Sequence, residues 1–232
     1  MNRNGDGDSA TRRDYWRTNK NRDAVKLRVV WEPYHTFIKK LVPLKGRTLL
    51  DFGSGIESPV AKRFLADNGS LSGYFAYDVD RQAANKWDSE GRYYSFFTDD
   101  QKVGAFDFVY ADNSYEHLTL DQREEFIKRS GELLQPRGQL VLVYPHIANM
   151  NLIEHFERDR THMMVTREHE AGFINSMGYS TQLYIAGLTF PYKPILFSVK
   201  QLLRNLLLGY YPQTMVIIVA SKASHGPAAG GS

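Results

Sequence analysis

Residues 49–59 read LLDFGSGIESP: an apolar run that passes through one acid into two closely spaced glycines and then a proline. Leu49, Leu50 and Phe52 have the character of a buried strand, and the residues after Gly55 read as the start of a helix. Gly53 and Gly55 lack Cβ, so the backbone can turn sharply and approach a bound molecule closely while the first N–H groups of the next helix point at it. Pro59 is accepted in the first turn of that helix, where its missing N–H would have no partner anyway. Asp51 distinguishes the loop from a phosphate cradle. It stands inside the strand, where a carboxylate repels phosphate and suits a cation such as the α-amino group of a bound amino acid. A tight strand-to-helix connection with no ligand is the simpler alternative.

Outward from this loop, short runs rich in β-branched and aromatic residues alternate with segments of helical period, the pattern of an α/β domain on a mostly parallel sheet. Seven strands are expected, at residues 48–53, 73–78, 93–97, 106–112, 139–145, 181–186 and 214–220. A helix is expected at 59–68, stopped by Asn68-Gly69, and another at 166–177, from a cap-like Thr166 to Gly178. A third, at 121–134, sets Phe126, Ile127, Leu133 and Leu134 among charged residues and closes on the turn Gln135-Pro136-Arg137-Gly138. Residues 15–41 read as one or two helices interrupted by Pro33. The whole of 15–221 is expected to form one domain, with 1–14 and 222–232 as flexible tails that have nothing to bury.

Composition narrows the function. The 232 residues, 42% hydrophobic and 24% charged, suffice for one core and exclude collagen-like, coiled-coil and wholly disordered chains. Lys and Arg number 29 against 26 Asp and Glu, interspersed, which leaves no basic footprint for nucleic acid. With no Cys there are no disulfides, thiolate zinc sites or cysteine nucleophiles, so any catalysis uses oxygen and nitrogen groups. Neither a signal-peptide core nor an apolar run of roughly 20 residues is present, and a soluble, cytoplasmic protein is the expectation.

A second acid completes the pattern. Residues 73–78, GYFAYD, end the next strand in Asp78, where a carboxylate at the carboxyl edge of the sheet is placed to accept both hydroxyls of a ribose. A nucleoside joined to an amino acid describes S-adenosylmethionine. At this point the chain resembles the class I S-adenosylmethionine-dependent methyltransferases: Asp51, Gly53 and Gly55 match the family's D-x-G-x-G loop, and Asp78 matches its ribose-binding acid. Residues 106–112, FDFVYAD, resemble the fourth strand, Glu116-His117-Leu118 the acid-His pair beyond it, and residues 134–140, LQPRGQL, the proline-glycine turn into strand five.

The resemblance spans residues 47–145. It implies a Rossmann-like, doubly wound three-layer αβα fold, with S-adenosylmethionine held by Asp51, Gly53, Gly55, Asp78 and Asp112. Thr98, Asp99 and Asp100 are candidates for the adenine contact. One departure stands out. Glu57 occupies the position of the family's usual third glycine, and Ser58 that of the last glycine of G-x-G-x-x-G, so either Glu57 points away from the cofactor or the loop opens differently around Ser58-Pro59.

Methyl transfer needs an acceptor in line behind the methyl and a nucleophile that loses its proton as it attacks. Orientation supplies much of the rate, and a positioned base about 10²–10⁴-fold more. His117, His146 and His162 are the candidate bases: His117 follows strand four, His146 follows strand five beside Tyr144, and His162 lies in an Asp-x-Thr-His stretch similar to methyltransferases of sugars and lipid-linked acceptors. Each also has a plain role in packing or capping a loop. Glu116, Glu154, Asp159 and His162 have the chemistry to bind magnesium, but their spacing is not diagnostic and no metal is expected. Residues 188–212 read as a helical insertion between the last two strands, with Leu196, Val199, Leu203 and Leu206 interrupted by Lys193, Lys200 and Arg204. That pattern fits a packed, dimer-facing or interfacial helix, so a homodimer and peripheral membrane contact both stay open.

The chain therefore reads as a methyltransferase that O-methylates a hydroxyl of a saccharide, glycolipid precursor or secondary metabolite. Residues 112–115, DNSY, lack the paired prolines that accompany amino methylation of DNA or glutamine. The alternatives are a nicotinamide-dependent oxidoreductase, disfavoured by Asp51 and Ser58, and a binding module of the same fold without turnover.

Overall fold

Strands buried on both faces form the centre of the molecule. The computed structural model describes residues 27–30, 34–43, 46–58, 61–62, 73–98, 104–145, 167–186 and 215–222. β2 (Leu49–Phe52) is buried at all four positions, and the inner part of β5 (Leu134–Pro145) and most of β7 (Met215–Lys222) are equally apolar, as strands covered by helices on both sides must be. With β1 (Leu27–Val30), β3 (Tyr74–Tyr77), β4 (Phe106–Asp112) and β6 (Tyr179–Ala186) they make one seven-stranded sheet, in the order β1-β6-β7-β5-β4-β2-β3. The β1–β6, β2–β3, β2–β4 and β4–β5 pairs are parallel, and β7 runs antiparallel to β5 and β6.

The pleat divides each strand between two cores. Leu49, Tyr74, Tyr110, Val141 and Ile217 pack with Ile38 and Val42, at and just beyond α1 (Tyr34–Leu41), and with Trp87 of α2 (Arg81–Ser89). Leu50, Phe52, Val109, Leu142 and Ile218 pack on the other face with Phe126 and Ile127 of α3 (Leu120–Leu133) and Ile174 of α4 (Arg167–Ser176). The result is the expected three-layer αβα fold. The chain leaves β2 for β3 on one side and reaches β4 on the other, so a crevice opens at the carboxyl ends of β2 and β4, where open α/β sheets bind ligands.

Local chemistry explains most boundaries. Thr119 caps α3 in a reciprocal box: its hydroxyl accepts from Gln122 N (3.4 Å) while Gln122 Oε1 accepts from Thr119 N (2.9 Å), an arrangement worth about 1 kcal/mol. Asp80 caps α2 by accepting from the N–H groups of Gln82 and Ala83. Gly178, at φ 88°, closes the turn after α4.

Four expectations need correction. Residues 93–97 do not form a strand: a single bridge joins Tyr93 to Ala76, and the chain then turns over Phe96–Thr98 with Tyr94 and Phe96 in the core. The seventh strand is instead Leu27–Val30, expected as helix, which pairs with β6 at the far edge. The proline-glycine turn is part of β5. Phe106 pairs with Leu134 and Phe108 with Gln139, so residues 135–138 bulge out of the ladder, and a Cβ on Gly138 would lie 2.9 Å from Phe106 O. Helix α2 was not expected at all. Of the helix expected at 59–68, Ala61 and Lys62 are helical, and the rest lies outside the described residues, as do the insertion at 188–212 and both tails apart from Lys222.

Candidate functional site

The glycine loop sits at the crevice. Gly53 (φ 73°) and Gly55 (φ 63°) are both left-handed, a conformation that L side chains rarely adopt. Their surroundings differ. A Cβ on Gly53 would lie 2.3 Å from Ser114 Cβ, whereas a Cβ on Gly55 would meet none of the described residues within 4 Å. Gly53 is thus required by packing, and Gly55 leaves its side-chain position open among the described residues. The loop is tied down along its length. Gly53 N and Ser54 N donate to Tyr77 O (2.8 and 3.2 Å), Trp87 Nε1 donates to Gly55 O (2.9 Å), and Lys86 Nζ donates to Ile56 O (2.5 Å).

The two acids meet this loop from different sides. Asp78, just past β3, accepts from Gly55 N on Oδ2 (2.7 Å) and from Asp80 N on Oδ1 (2.8 Å). A carboxylate has about four acceptor positions, so two remain for a ligand's hydroxyls. Asp51 lies in β2 and is only 2% exposed; Ser58 Oγ (2.6 Å) and Tyr74 OH (2.7 Å) both donate to its Oδ2. Burial pushes its pKa up from 3.8 to about 7, those two hydrogen bonds counter only part of the rise, and the charges of Asp112 and Asp78 add to it. A cation placed beside this carboxyl would hold it ionised.

Ser58 and Tyr74 were not among the expected site residues. Ser58 does two jobs where a third glycine would do neither: besides donating to Asp51, its Oγ accepts from Ala61 N (2.9 Å) and caps the next helical turn. A serine three residues before an apolar helix start is a capping signal legible in sequence; its reach to Asp51 is not. Glu57 takes a surface position. Its side chain is largely exposed and ion-paired with Lys62.

Asp112 ends β4 on the same sheet face as Asp51, since Asp51 pairs with Tyr110 in register. It accepts from Tyr110 OH (2.8 Å) and Asn113 Nδ2 (2.7 Å). Asn113, at φ 53°, is the sole non-glycine residue with positive φ among the described residues, and it turns the chain toward Ser114. Ser114 Oγ then donates to Phe52 O (2.7 Å), which joins the turn after β4 to the glycine loop. The 3₁₀ turn Tyr115–His117 comes next, with His117 half-buried at the carboxyl edge. The structure thus brings Asp51, Gly53, Gly55, Asp78, Asp112 and His117 to one edge of the sheet, while Asp99, His146 and His162 lie outside the described residues.

No protein-family model and no curated protein matches this chain. Solved structures do. A SAM-dependent methyltransferase from Archaeoglobus fulgidus matches with a TM-score of 0.57 at 14% identity, over 92% of this chain and 99% of that one. A Haloferax volcanii complex that contains the Trm112 methyltransferase activator gives 0.57 at 14% identity, over 94% and 95%. Phosphoethanolamine N-methyltransferase 2 from Haemonchus contortus, bound to S-adenosyl-L-methionine, gives 0.56 at 15% identity, over 82% of this chain and 52% of that one. Sheet order, switch point and these likenesses agree: the chain has the fold of the class I S-adenosylmethionine-dependent methyltransferases.

Proposed function

We propose that the protein is an S-adenosylmethionine-dependent methyltransferase acting on a small-molecule acceptor, with a hydroxyl of a saccharide, glycolipid precursor or secondary metabolite as the favoured target. The observation that carries this reading is the pair of acids around one glycine loop: Asp51 buried where an ammonium would ionise it, and Asp78 bonded to Gly55 N at 2.7 Å with acceptor capacity to spare. The residues fit the cofactor. The open side of Gly55 admits a ligand against the backbone, and Ile56 (44% exposed) and Val79 (88% exposed) offer apolar surface beside it for a flat base.

When bound, S-adenosylmethionine supplies a methyl group activated by its sulfonium. The chain's own contribution is binding, orientation and proton removal: Asp51 holds the amino group, Asp78 the ribose, and Asp112 adds negative charge near the amino-acid end. His117, at the same edge, is the base that accepts the acceptor's proton. His146 and His162 are retained as acceptor contacts. A nicotinamide dinucleotide fits less well, because its pyrophosphate would meet the Asp51 carboxyl, and Ser58 is engaged by that carboxyl rather than leaving the backbone bare. An amine acceptor is the second reading, because the Haemonchus protein is by its name an N-methyltransferase.

Isothermal titration with S-adenosylhomocysteine and with NADH tests the cofactor, and methyl transfer from labelled S-adenosylmethionine to panels of hydroxyl and amine compounds tests the acceptor. Tight binding of S-adenosylhomocysteine and none of NADH is the expected result. The reverse would overturn the reading, and binding without turnover on either panel would favour a module without catalysis.

A further inference from the structure

One buried charged cluster has no part in that mechanism. Glu170 of α4 (1% exposed) and Arg123 of α3 (3% exposed) meet at 3.5 Å on the sheet face opposite Asp51. Glu170 Oε1 accepts a hydrogen bond from Tyr115 OH. The Arg123 guanidinium lies 5.3 Å from the centroid of the Tyr115 ring, which also packs against Phe126 and Tyr144. Burial pushes the Glu170 carboxyl up despite the pull of Arg123 and Tyr115.

As a source of stability the arrangement is poor. Arg123 Nε and Nη2 and the Tyr144 hydroxyl have no hydrogen-bond partner among the described residues, and well-packed apolar side chains often replace a buried ion pair without loss. What it does well is fix a direction. Tyr115 opens the turn that carries His117, and Leu118 N donates to Tyr115 O (3.1 Å). Immediately before it, Ser114 donates to Phe52 O (2.7 Å) and fills the space where a Gly53 Cβ would lie. Asn113 holds a left-handed φ of 53°, a strained conformation that persists only where the surroundings over-determine it. The turn is gripped from the glycine loop on one side and from α3 and α4 on the other.

We propose that Tyr115, Glu170 and Arg123 are positioning residues: they hold the His117 turn against the glycine loop, so that the seating of α4 sets both the direction of the His117 imidazole and the shape of the cofactor loop. Only the cofactor readout of this proposal rests on the methyltransferase reading.

The test uses the full chain with Tyr115→Phe, which keeps the ring and its packing, and with Glu170→Gln. Amide exchange of His117 and Leu118 is expected to rise about tenfold or more while that of Leu142 and Val143 in β5 stays unchanged, because the opening is local. The His117 resonance, assigned through His117→Gln, is expected to shift its titration midpoint by about 0.3 pH units or more. S-adenosylhomocysteine is expected to bind roughly three- to tenfold more weakly. An exchange rate in the turn that merely tracks β5, together with an unmoved His117 midpoint, would overturn the proposal. If Glu170→Gln does not fold, Tyr115→Phe decides. If the wild-type protein binds no S-adenosylhomocysteine, the methyltransferase reading fails and the two ligand-free readouts judge the positioning role by themselves.

Discussion

Asparagine at position 51 keeps the shape of the native side chain and can accept the same hydrogen bonds from Ser58 (2.6 Å) and Tyr74 (2.7 Å), but it carries no charge. That difference works in opposite directions on stability and on binding. In the folded protein the Asp51 carboxyl ionises near 7 instead of 3.8, so the native state holds this proton more tightly than the unfolded chain does. Stability contributed by the group is therefore full below pH 3.8, falls as pH rises through that window, and levels off above about 7. At about 1.4 kcal/mol per pH unit, the difference between 3.8 and about 7 comes to roughly 4 kcal/mol. Asp51→Asn removes this penalty. We expect the variant to be more stable than wild type by about 2–4 kcal/mol at pH 8, or roughly 5–15 °C in Tm, and the gap to shrink by more than half at pH 5. The same variant loses a charge-assisted contact to the ligand ammonium, worth about 1.5–3 kcal/mol, so S-adenosylhomocysteine should bind roughly ten- to a hundredfold more weakly. Thermal melts at the two pH values and isothermal titration at pH 8 read both effects. A variant that melts below wild type by the same margin at both pH values, or that binds with undiminished affinity, would overturn the role given to this carboxyl.

Four further outcomes rest on the same geometry. Because an ammonium beside Asp51 favours its ionised form, S-adenosylhomocysteine binding near pH 7 should release about half a proton; binding enthalpies that are identical in phosphate and in Tris would contradict this. Below pH 7 the affinity should fall, approaching tenfold per pH unit. Tyr74→Phe deletes one donor to Asp51 and so raises its pKa further, which should weaken binding severalfold at pH 7 and little at pH 9. Gly53→Ala drives a Cβ into Ser114 at 2.3 Å and should unfold the protein or lower its stability by roughly 3 kcal/mol or more, whereas Gly55→Ala meets open space, costs about 1–2 kcal/mol for its φ of 63°, and should chiefly weaken ligand binding; melts and titrations on the pair separate the two roles.

The glycine loop was legible because its chemistry is local. An acid, two glycines and a helix start within one turn specify where the backbone goes, and Gly53, Gly55 and Asp78 fall where that reading places them. What escaped was set by distance in the chain. Leu27–Val30 is four residues long and becomes a strand only because β6, some 156 positions away at Arg28 and Tyr184, offers it an edge. The run at 93–97 has a strand's alternation of buried aromatics, Tyr94 and Phe96, but packs them from a turn beside β3. Helix α2 buries little beyond Ala83 and Trp87, too few apolar positions to show a period, and its clearest local mark is the Asp80 cap. Tyr74 reaches Asp51 across neighbouring strands, and Glu170 reaches Tyr115 across 55 positions, so no spacing in the sequence announces either contact.

The proposed function stands or falls on whether Asp51 and Asp78 grip the two ends of one sulfonium nucleoside. A crystal structure of the protein grown with S-adenosylhomocysteine decides this. The ligand's amino group is expected within hydrogen-bond reach of Asp51 and its ribose hydroxyls on the Asp78 carboxylate, with the backbone of Gly55 lying against it. A ligand bound elsewhere, or an edge at saturating concentration that holds nothing, would contradict the proposal.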